Sequence, residues 1–312
     1  MIQKLEIFLQ LYGGIELSED TYLKVRELMK SMEMSPESTE YEIEIEEVWV
    51  DNLYDDSKVR LLIVKPANPT DGKHLLYYSI HGGGMVIGDA EMSVESLSFL
   101  AHHYNFIGVS VDYRLAPEYH QPAQLHDCYS GIKWIVDHAE QFNIDLTRIA
   151  IQGGSAGAGL AGGLALYIRD QKEFDIHFLQ LDIPMLDDRT AAKEKHPYNG
   201  ELSWTYENNY FGWKSVLNQE PGSEGVSPYY SPARADSLAG LPPTYISVGS
   251  IELFADEALD FARKLMYDGV PVELHLYPGY HHMGLVVETA FHAKKDKENR
   301  LDALLRALKI DK

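Results

Sequence analysis

A serine lies at the centre of the glycine-rich stretch IQGGSAGAG at residues 151–159. Gly153, Ser155 and Gly157 form the pattern G-x-S-x-G, which places a serine on a tight turn between a strand and a helix. Larger side chains would collide in such a turn, and the turn exposes the hydroxyl beside the free N–H groups of a helix N-terminus. The stretch therefore indicates a serine nucleophile beside donors that can bind developing negative charge.

Two other interpretations of this stretch compete with a nucleophile. The pattern G-x-S-x-G occurs by chance in roughly one chain in ten of this length, with the glycines purely structural. Gly157, Gly159 and Gly162 also fit the dinucleotide-binding spacing G-x-G-x-x-G, with Asp182 at a suitable distance downstream. That fingerprint should begin at the end of a strand, whereas Gly157 comes five residues after Gln152, where the predicted strand ends. The spacing therefore disfavours a cofactor loop.

Residues beyond the serine favour the nucleophile. The sequence HGGG at 81–84 follows the apolar run HLLYYSI, where three glycines would let backbone N–H groups approach a substrate and form an oxyanion hole. Acidic residues follow the apolar run TYISVG in SIELFADE (250–257), and histidines follow the run VELHLY in PGYHHMG (278–284). Serine, acid and histidine therefore occur in the chain order that an α/β-hydrolase triad requires.

Five motifs together resemble the hormone-sensitive-lipase-like α/β-hydrolases, the bacterial family IV carboxylesterases. The motifs are HGGG (81–84), DYRLAPE (112–118), GGSAG (153–157), DE (256–257) and YPGYHHMG (277–284), within a similarity that covers about residues 40–290. HGGG followed by DYRLAPE is the most specific of these signals. The resemblance implies that Ser155 is the nucleophile and that the N–H groups of Gly83, Gly84 and Ala156 form the oxyanion hole.

The chain departs from this family at two positions. Gly154 stands where the family usually has an acidic residue between the elbow glycine and the serine, which predicts altered local support without loss of the chemistry. Glu252 stands where the family usually has aspartate, so Glu252 is predicted to be the triad acid, with Asp256 as the alternative. Asp256 otherwise fits a helix-capping residue. His282 is predicted to be the base, with the adjacent His281 as the alternative.

Three further predictions concern residues near these motifs. His81 heads the HGGG sequence and is expected to brace the loop without taking part in the chemistry. Arg114 and Glu118 in YRLAPE are expected to form a scaffolding ion pair. Cys128 lies among apolar residues at helical spacing, which predicts a buried structural thiol, and a single cysteine excludes an internal disulfide.

The elements that must position these motifs alternate between strands and helices. YEIEIEEVWV and KVRLLIVKP predict an antiparallel hairpin, and six later apolar runs with little alternation are typical of parallel strands buried on both faces. The predicted strands are 41–50, 58–66, 74–80, 106–111, 148–152, 177–183, 244–249 and 272–277, and the predicted helices are 91–104, 122–142, 155–171, 255–268 and 296–309. This order predicts an α/β-hydrolase fold with a mostly parallel central sheet flanked by helices and an N-terminal antiparallel hairpin.

Two segments stand apart from this alternation. Residues 18–33 predict an amphipathic helix, and residues 187–240 are rich in Pro, Gly and Tyr and interrupt the strand–helix order. The resemblance implies that residues 1–35 and the 187–240 insertion form a helical cap over the acyl pocket. No linker divides the sequence, so a single domain is expected over residues 1–312.

Composition and charge limit the partners of the 312-residue chain. The 27 Lys and Arg against 48 Asp and Glu give a formal net charge of −21, which repels phosphate backbones and anionic lipid head groups. We therefore expect no nucleic-acid and no membrane partner. The sequence shows no signal peptide and no membrane-spanning run, which favours a cytoplasmic protein. No cluster has zinc-binding spacing, so no metal and no cofactor is expected, and a homo-oligomer is compatible with the sequence.

These features predict a serine carboxylesterase with a small-molecule ester substrate and the triad Ser155, His282 and Glu252. The aromatic residues of the insertion favour short to medium acyl chains over long triglycerides. An amidase or formamidase with the same triad is the close alternative. A ligand-binding relative that has lost catalysis is the more distant alternative, because such proteins typically lack the triad histidine, which this chain keeps in YPGYHHMG.

Overall fold

The computed structural model describes residues 16–32, 40–284 and 290–310. Within them, eight strands form one sheet in the order β1-β2-β4-β3-β5-β6-β7-β8. The strands are β1 (Ile43–Asp51), β2 (Lys58–Pro66), β3 (His74–Ile80), β4 (Phe106–Asp112), β5 (Ile144–Gly154), β6 (Phe178–Asp182), β7 (Thr244–Gly249) and β8 (Val272–Tyr277). Strand β2 pairs antiparallel with both β1 and β4, and all other neighbours are parallel. The predicted hairpin and mostly parallel sheet are confirmed.

The burial of the strands follows from their place in the sheet. Every residue of β3 and of β7 is buried, because helices cover both faces of a parallel sheet. Strand β1 lies at the edge, and its Glu44 and Glu47 side chains are exposed. The alternating acidic run therefore marks a solvated edge strand, and the continuous apolar runs mark the centre of the sheet.

Seven helices lie in the described part of the chain. They are α1 (Tyr22–Met32), α2 (Val94–Tyr104), α3 (Ala123–Asp137), α4 (Ala156–Gln171), α5 (Tyr206–Leu217), α6 (Ala255–Tyr267) and α7 (Phe291–Ala307). None of these helices is both long and apolar enough to cross a membrane. Cys128 on α3 is fully buried, as predicted, and burial raises the pKa of its thiol well above the usual range.

The largest differences from the predicted bounds lie between α3 and β5 and at the start of α7, which begins five residues before the predicted 296. Helix α3 ends at Asp137, and β5 begins at Ile144. Asn143 adopts a left-handed φ of 52° between them, and the Ile144 N–H donates to the Ala139 carbonyl at 2.8 Å. Apolar residues continue at helical spacing beyond Asp137, so the sequence pattern did not show where α3 ends.

Residues 187–240 form an insertion without a strand. Its aromatic stretch forms α5, a helix that the composition did not predict. The Thr205 hydroxyl accepts a hydrogen bond from the Asn208 N–H at 3.3 Å, which caps the start of α5. Asn218 ends the helix in a left-handed conformation with a φ of 52°. Thr205 and Asn218 mark the two ends of the helix, but the aromatic and glycine residues between them do not show the apolar period of a helix.

Glu257 on α6 joins the beginning of the insertion to the main body of the fold. Its Oε1 accepts a hydrogen bond from the Leu186 N–H at 2.6 Å, and its Oε2 contacts the Thr190 hydroxyl. Burial raises the pKa of this carboxyl well above its usual range. The second residue of the DE motif therefore has a structural function at the root of the insertion.

Helix α1 lies within the helix predicted near the N-terminus and contacts the insertion. The Leu17 N–H donates to Asn208 Oδ1 at 2.7 Å, which links the segment before α1 to α5. Of the predicted cap segment 1–35, residues 1–15 and 33–35 lie outside the described residues.

Candidate active site

Ser155 occupies the turn between β5 and α4, with backbone angles φ 55° and ψ −120°. A Cβ on Gly153 would lie 2.1 Å from the carbonyl oxygen of Gly157, and a Cβ on Gly157 would lie 2.1 Å from that of Ile80. Both positions therefore require glycine. The Ser155 N–H donates to the Asp182 carbonyl at 2.8 Å, which ties the turn to the end of β6. The turn holds the serine in a strained conformation that costs about 1–3 kcal/mol.

Gly154, the position of the family's acidic residue, is not constrained in this way. A Cβ on Gly154 would meet no atom within 4 Å, and its φ lies outside the left-handed region that favours glycine. The turn itself therefore accepts a side chain at this position.

Ser155, His282 and Glu252 form one hydrogen-bonded chain. The Ser155 Oγ lies 2.8 Å from His282 Nε2, and His282 Nδ1 lies 2.5 Å from Glu252 Oε1. All three residues are buried, and Glu252 is only 1% exposed. The second carboxylate oxygen, Glu252 Oε2, has no hydrogen-bond donor among the described residues. The carboxylate is therefore directed at the imidazole alone.

The loops after β7 and β8 bring the acid and the histidine together. A Cβ on Gly249 would lie 2.1 Å from the Tyr280 carbonyl oxygen, so glycine permits the close approach of the two loops. The Ile251 N–H donates to the same carbonyl at 3.2 Å, and the Ser250 N–H donates to the Tyr277 carbonyl at 2.9 Å. Parallel strands that lie side by side end at the same edge of the sheet, and these bonds lock their loops in register.

The two alternative residues lie elsewhere. Asp256 is exposed in the first turn of α6, whose N-cap is Phe254 with no side-chain cap. The prediction that Asp256 caps the helix is therefore wrong, because the helix begins one residue before it. The half-buried His281 directs its Nδ1 to the Ser203 hydroxyl at 2.9 Å, and burial lowers its pKa. Neither side chain belongs to the hydrogen-bonded chain of Ser155.

The HGGG loop follows β3 and lies against the serine. A Cβ on Gly82 would lie 3.4 Å from the Cβ of Ser155. Gly83 (φ 105°) and Gly84 (φ 64°) adopt backbone conformations that glycine reaches most readily, and their N–H groups donate to no acceptor among the described residues. The Ala156 N–H is the first of α4 and has no partner within the helix. Three donors therefore lie on the two segments that flank Ser155.

His81 contacts its own loop. Its ring stacks on that of Tyr113 with centroids 4.1 Å apart, and its Nδ1 lies 2.9 Å from the Gly82 carbonyl oxygen. The Tyr113 hydroxyl donates to the His81 carbonyl at 2.9 Å. Burial lowers the pKa of His81, which favours the neutral imidazole. These contacts agree with a bracing function for His81.

The predicted ion pair between Arg114 and Glu118 is wrong. Arg114 binds the buried carboxylate of Asp127, with Nη2 2.7 Å from Oδ1, and also contacts Asp55 at 3.0 Å. Glu118 instead binds Arg26 on α1 at 2.8 Å. Spacing along an irregular segment does not fix the directions of two side chains, and the buried Asp127 carboxylate needs a cationic partner. Arg26 was missed because it lies 92 residues from Glu118 along the chain.

Aromatic side chains enclose the histidine. The Phe254 and His282 rings meet edge to face with centroids 5.2 Å apart, and the Trp204 ring lies 6.1 Å from that of His282. A Cβ on Gly84 would lie 2.3 Å from Trp204 Cη2, so this indole of the insertion lies directly on the HGGG loop. The aromatic richness of the insertion was the only signal in the sequence for such a residue.

The dinucleotide interpretation fails on packing. A Cβ on Gly159 would lie 2.1 Å from the Met185 carbonyl oxygen, and a Cβ on Gly162 would lie 3.2 Å from Pro232 Cγ. These glycines therefore face other parts of the protein and leave no path to a pyrophosphate. Within residues 16–32, 40–284 and 290–310, no group of three or more His, Cys, Asp or Glu side chains could hold a metal ion.

Comparison with known proteins places this chain in a family. A family profile described as "alpha/beta hydrolase fold" matches residues 76–285. Esterase LipI of Mycobacterium tuberculosis is 32% identical over 228 residues, which cover 67% of this chain and 65%, just under two thirds, of that protein. Carboxylesterase NlhH of the same organism is 30% identical over 302 residues, which cover 95% of this chain and 90% of that protein.

Among solved structures, a bacterial heroin esterase superposes with a TM-score of 0.86 at 33% identity, over 94% of both chains. The similarity thus extends beyond the motifs to nearly the whole fold. The chain therefore belongs to the hormone-sensitive-lipase-like family of carboxylic ester hydrolases with the α/β-hydrolase fold.

Proposed function

We propose that this protein hydrolyses carboxylic esters of short to medium acyl chains, with Ser155 as the nucleophile. The observation that supports this proposal most is the hydrogen-bonded chain from Ser155 Oγ through His282 to Glu252. The esterase names of similar proteins agree with the class of substrate.

In the first half-reaction, His282 Nε2 takes the proton of the Ser155 hydroxyl while Oγ bonds to the ester carbonyl carbon. The tetrahedral intermediate then collapses, the imidazolium gives its proton to the leaving alkoxide, and an alcohol departs. Water repeats these steps on the acyl-enzyme, with His282 as its base, and releases the carboxylic acid. Two proton transfers at one nitrogen therefore serve each half-reaction.

Glu252 accepts the Nδ1–H of His282, which leaves Nε2 free as the base and stabilises the imidazolium. Because Glu252 Oε2 has no hydrogen-bond donor among the described residues, the negative charge of the carboxylate acts mainly on the His282 ring. The N–H groups of Gly83, Gly84 and Ala156 bind the oxyanion of the intermediate. Loss of one such donor typically costs about 10²–10³ in kcat.

The cap is proposed to consist of α1 and the insertion 187–240. The segment just before α1 contacts the insertion through Leu17 and Asn208. Trp204 brings the insertion onto the HGGG loop beside His282. A large, rigid indole at this place limits the room for an acyl chain, which supports a preference for short to medium chains.

The proposal is tested with p-nitrophenyl esters from acetate to dodecanoate. We expect the highest kcat/KM for the shorter esters and a loss of about 10⁶ in kcat for Ser155→Ala. An organophosphonate should form a covalent adduct on Ser155 that mass spectrometry locates. Full activity of the purified Ser155→Ala variant would exclude the mechanism, and a maximum at dodecanoate would exclude the chain-length preference.

Two neighbouring histidines provide a matched control. His282→Gln removes the base and is expected to abolish turnover, whereas His281→Gln removes only the contact with the Ser203 hydroxyl. Equal loss of activity in both variants would point to disruption of the loop and would contradict the specific role of His282.

A further inference from the structure

The guanidinium group of Arg26 joins three parts of the molecule. Its Nε donates to the Val86 carbonyl and its Nη2 to the Ala116 carbonyl, both at 2.7 Å. Its Nη1 and Nη2 also donate to the Glu118 carboxylate at 2.8 and 3.0 Å. Val86 lies just after HGGG, and Ala116 and Glu118 lie in DYRLAPE. One side chain on α1 thus holds both loops.

We propose that Arg26 is a positioning residue for the oxyanion loop, an inference that rests on the proposed function. Arg26 touches no reacting atom and acts through the turn that contains Gly83. The Gly83 carbonyl accepts hydrogen bonds from the N–H groups of Val86 at 3.0 Å and of Ile87 at 2.9 Å. Arg26 binds the carbonyl of the same Val86, so it fixes the peptide that closes the turn.

The DYRLAPE loop strengthens this link. The Ala116 N–H donates to the Met85 carbonyl at 2.9 Å, next to the turn, while the Ala116 carbonyl accepts from Arg26. The two loops and the guanidinium therefore form a closed ring of hydrogen bonds around Met85 and Val86. Displacement of the turn changes the direction of the N–H groups at Gly83 and Gly84.

The site calls for arginine in particular. A planar guanidinium can donate to two carbonyls and a carboxylate at fixed angles, whereas an ammonium group is a single point of charge. The Arg26 Cζ also lies 4.9 Å from the ring centroid of Tyr22 on the same helix, which holds the group in place. The Arg26 side chain is 23% exposed.

The test compares Arg26→Met and Arg26→Lys with the intact protein, using p-nitrophenyl butyrate. We expect kcat to fall about 10- to 100-fold in both variants, since misplacement of a catalytic group by about 1 Å can cost 10² in rate. We expect KM to change by no more than about threefold, because an interaction lost mainly in the transition state lowers kcat. Inactivation of Ser155 by an organophosphonate should slow in parallel, because that reaction also develops an oxyanion.

Arg263 provides the matched control. It is an arginine on α6 with a surface ion pair to Asp260, and both side chains are about two-thirds exposed. Arg263→Met should leave kcat and KM unchanged. Glu118→Gln keeps an acceptor for Arg26 and should lower kcat less than Arg26→Met does, because the two backbone carbonyls stay bound.

Three outcomes would overturn the inference. Folded Arg26→Met with normal kcat and a lower Tm would show a purely structural brace, and a raised KM with normal kcat would show a substrate-binding function. Full activity of Arg26→Lys would show that charge alone suffices. Each of these results leaves the loss of activity in Ser155→Ala intact, so the proposed function and the role of Arg26 fail separately.

Discussion

Replacement of Glu252 by glutamine exchanges one buried oxygen for nitrogen, and we expect it to abolish efficient turnover in a folded protein. Glu252 Oε1 lies 2.5 Å from His282 Nδ1. If the amide N–H faces Nδ1, the imidazole proton must move to Nε2, which then cannot accept the serine proton. If the amide oxygen faces Nδ1, the tautomer is kept but the charge that stabilises the imidazolium is lost.

Both arrangements lower kcat, and a comparable substitution in another serine hydrolase costs about 10⁴. At 1.36 kcal/mol for each factor of ten, this loss corresponds to about 5.4 kcal/mol in the activation free energy. The fold should tolerate the change, because Glu252 Oε2 has no donor among the described residues and a neutral amide is cheaper to bury than a carboxylate. We therefore expect Tm to stay constant or rise while activity is lost.

Steady-state kinetics with p-nitrophenyl butyrate and thermal unfolding followed by circular dichroism measure both effects. Asp256→Asn is the control, since Asp256 is exposed in the first turn of α6. It should keep normal kcat and lose only the interaction of a carboxylate with the helix N-terminus, about 0.3–1 kcal/mol. A catalytically dead Asp256→Asn beside a normal Glu252→Gln would refute the assignment of the acid.

Three further predictions concern the glycines of the serine turn, the length of the acyl chain and a buried carboxyl group. Gly154→Ala should raise the free energy of unfolding by about 0.4–1 kcal/mol. Gly157→Ala should lower it by about 3 kcal/mol or more, because the new Cβ at residue 157 would lie 2.1 Å from a backbone oxygen. Urea unfolding measures both variants, and equal stabilities would contradict this account. Trp204→Leu should raise kcat/KM for the octanoate ester relative to the butyrate ester about tenfold, roughly the worth of two buried methylene groups, and an unchanged ratio would exclude Trp204 as the limit on chain length. Burial raises the pKa of Asp296 on α7 to about 6, above its unfolded value of about 3.9, so its contribution to stability is present at low pH and is lost as the pH rises through about 6. Asp296→Asn should flatten this decline, and urea unfolding that gives the same pH profile for both proteins would disprove this.

The central sheet and the chain order of the site were predictable because their signals are local. Buried parallel strands have continuous apolar sequences, and the turns after them contain the polar residues. The resemblance implied a helical cap, but the residues did not predict where α5 lies, since its capping residue Thr205 and its terminating Asn218 are separated by aromatic residues without a clear period. In the same way, the end of α3 has no glycine or proline to mark it.

Contacts between distant segments were the other part that the sequence could not predict. The partner of Glu118 depends on where α1 lies relative to the loop, and 92 residues separate the two side chains of this ion pair. The sequence favoured the wrong partner for Glu118, because Arg114 lies close to it in the motif YRLAPE. Strand order brings backbone segments together, but the direction of a loop side chain depends on the packing of everything around it.

The link between Leu17 and Asn208 has a consequence for synthesis on the ribosome. The two residues are 191 positions apart, so at about 5–20 residues per second the partner of the first segment emerges roughly 10–40 s later. During this interval the Leu17 N–H lacks its acceptor on α5, and Tyr22 of α1 lacks the Phe211 ring, whose centroid lies 6.3 Å from its own. A nascent chain stalled before residue 208 should therefore be sensitive to protease at α1, and protection should arise after α5 leaves the exit tunnel, before the activity that also needs Glu252 and His282.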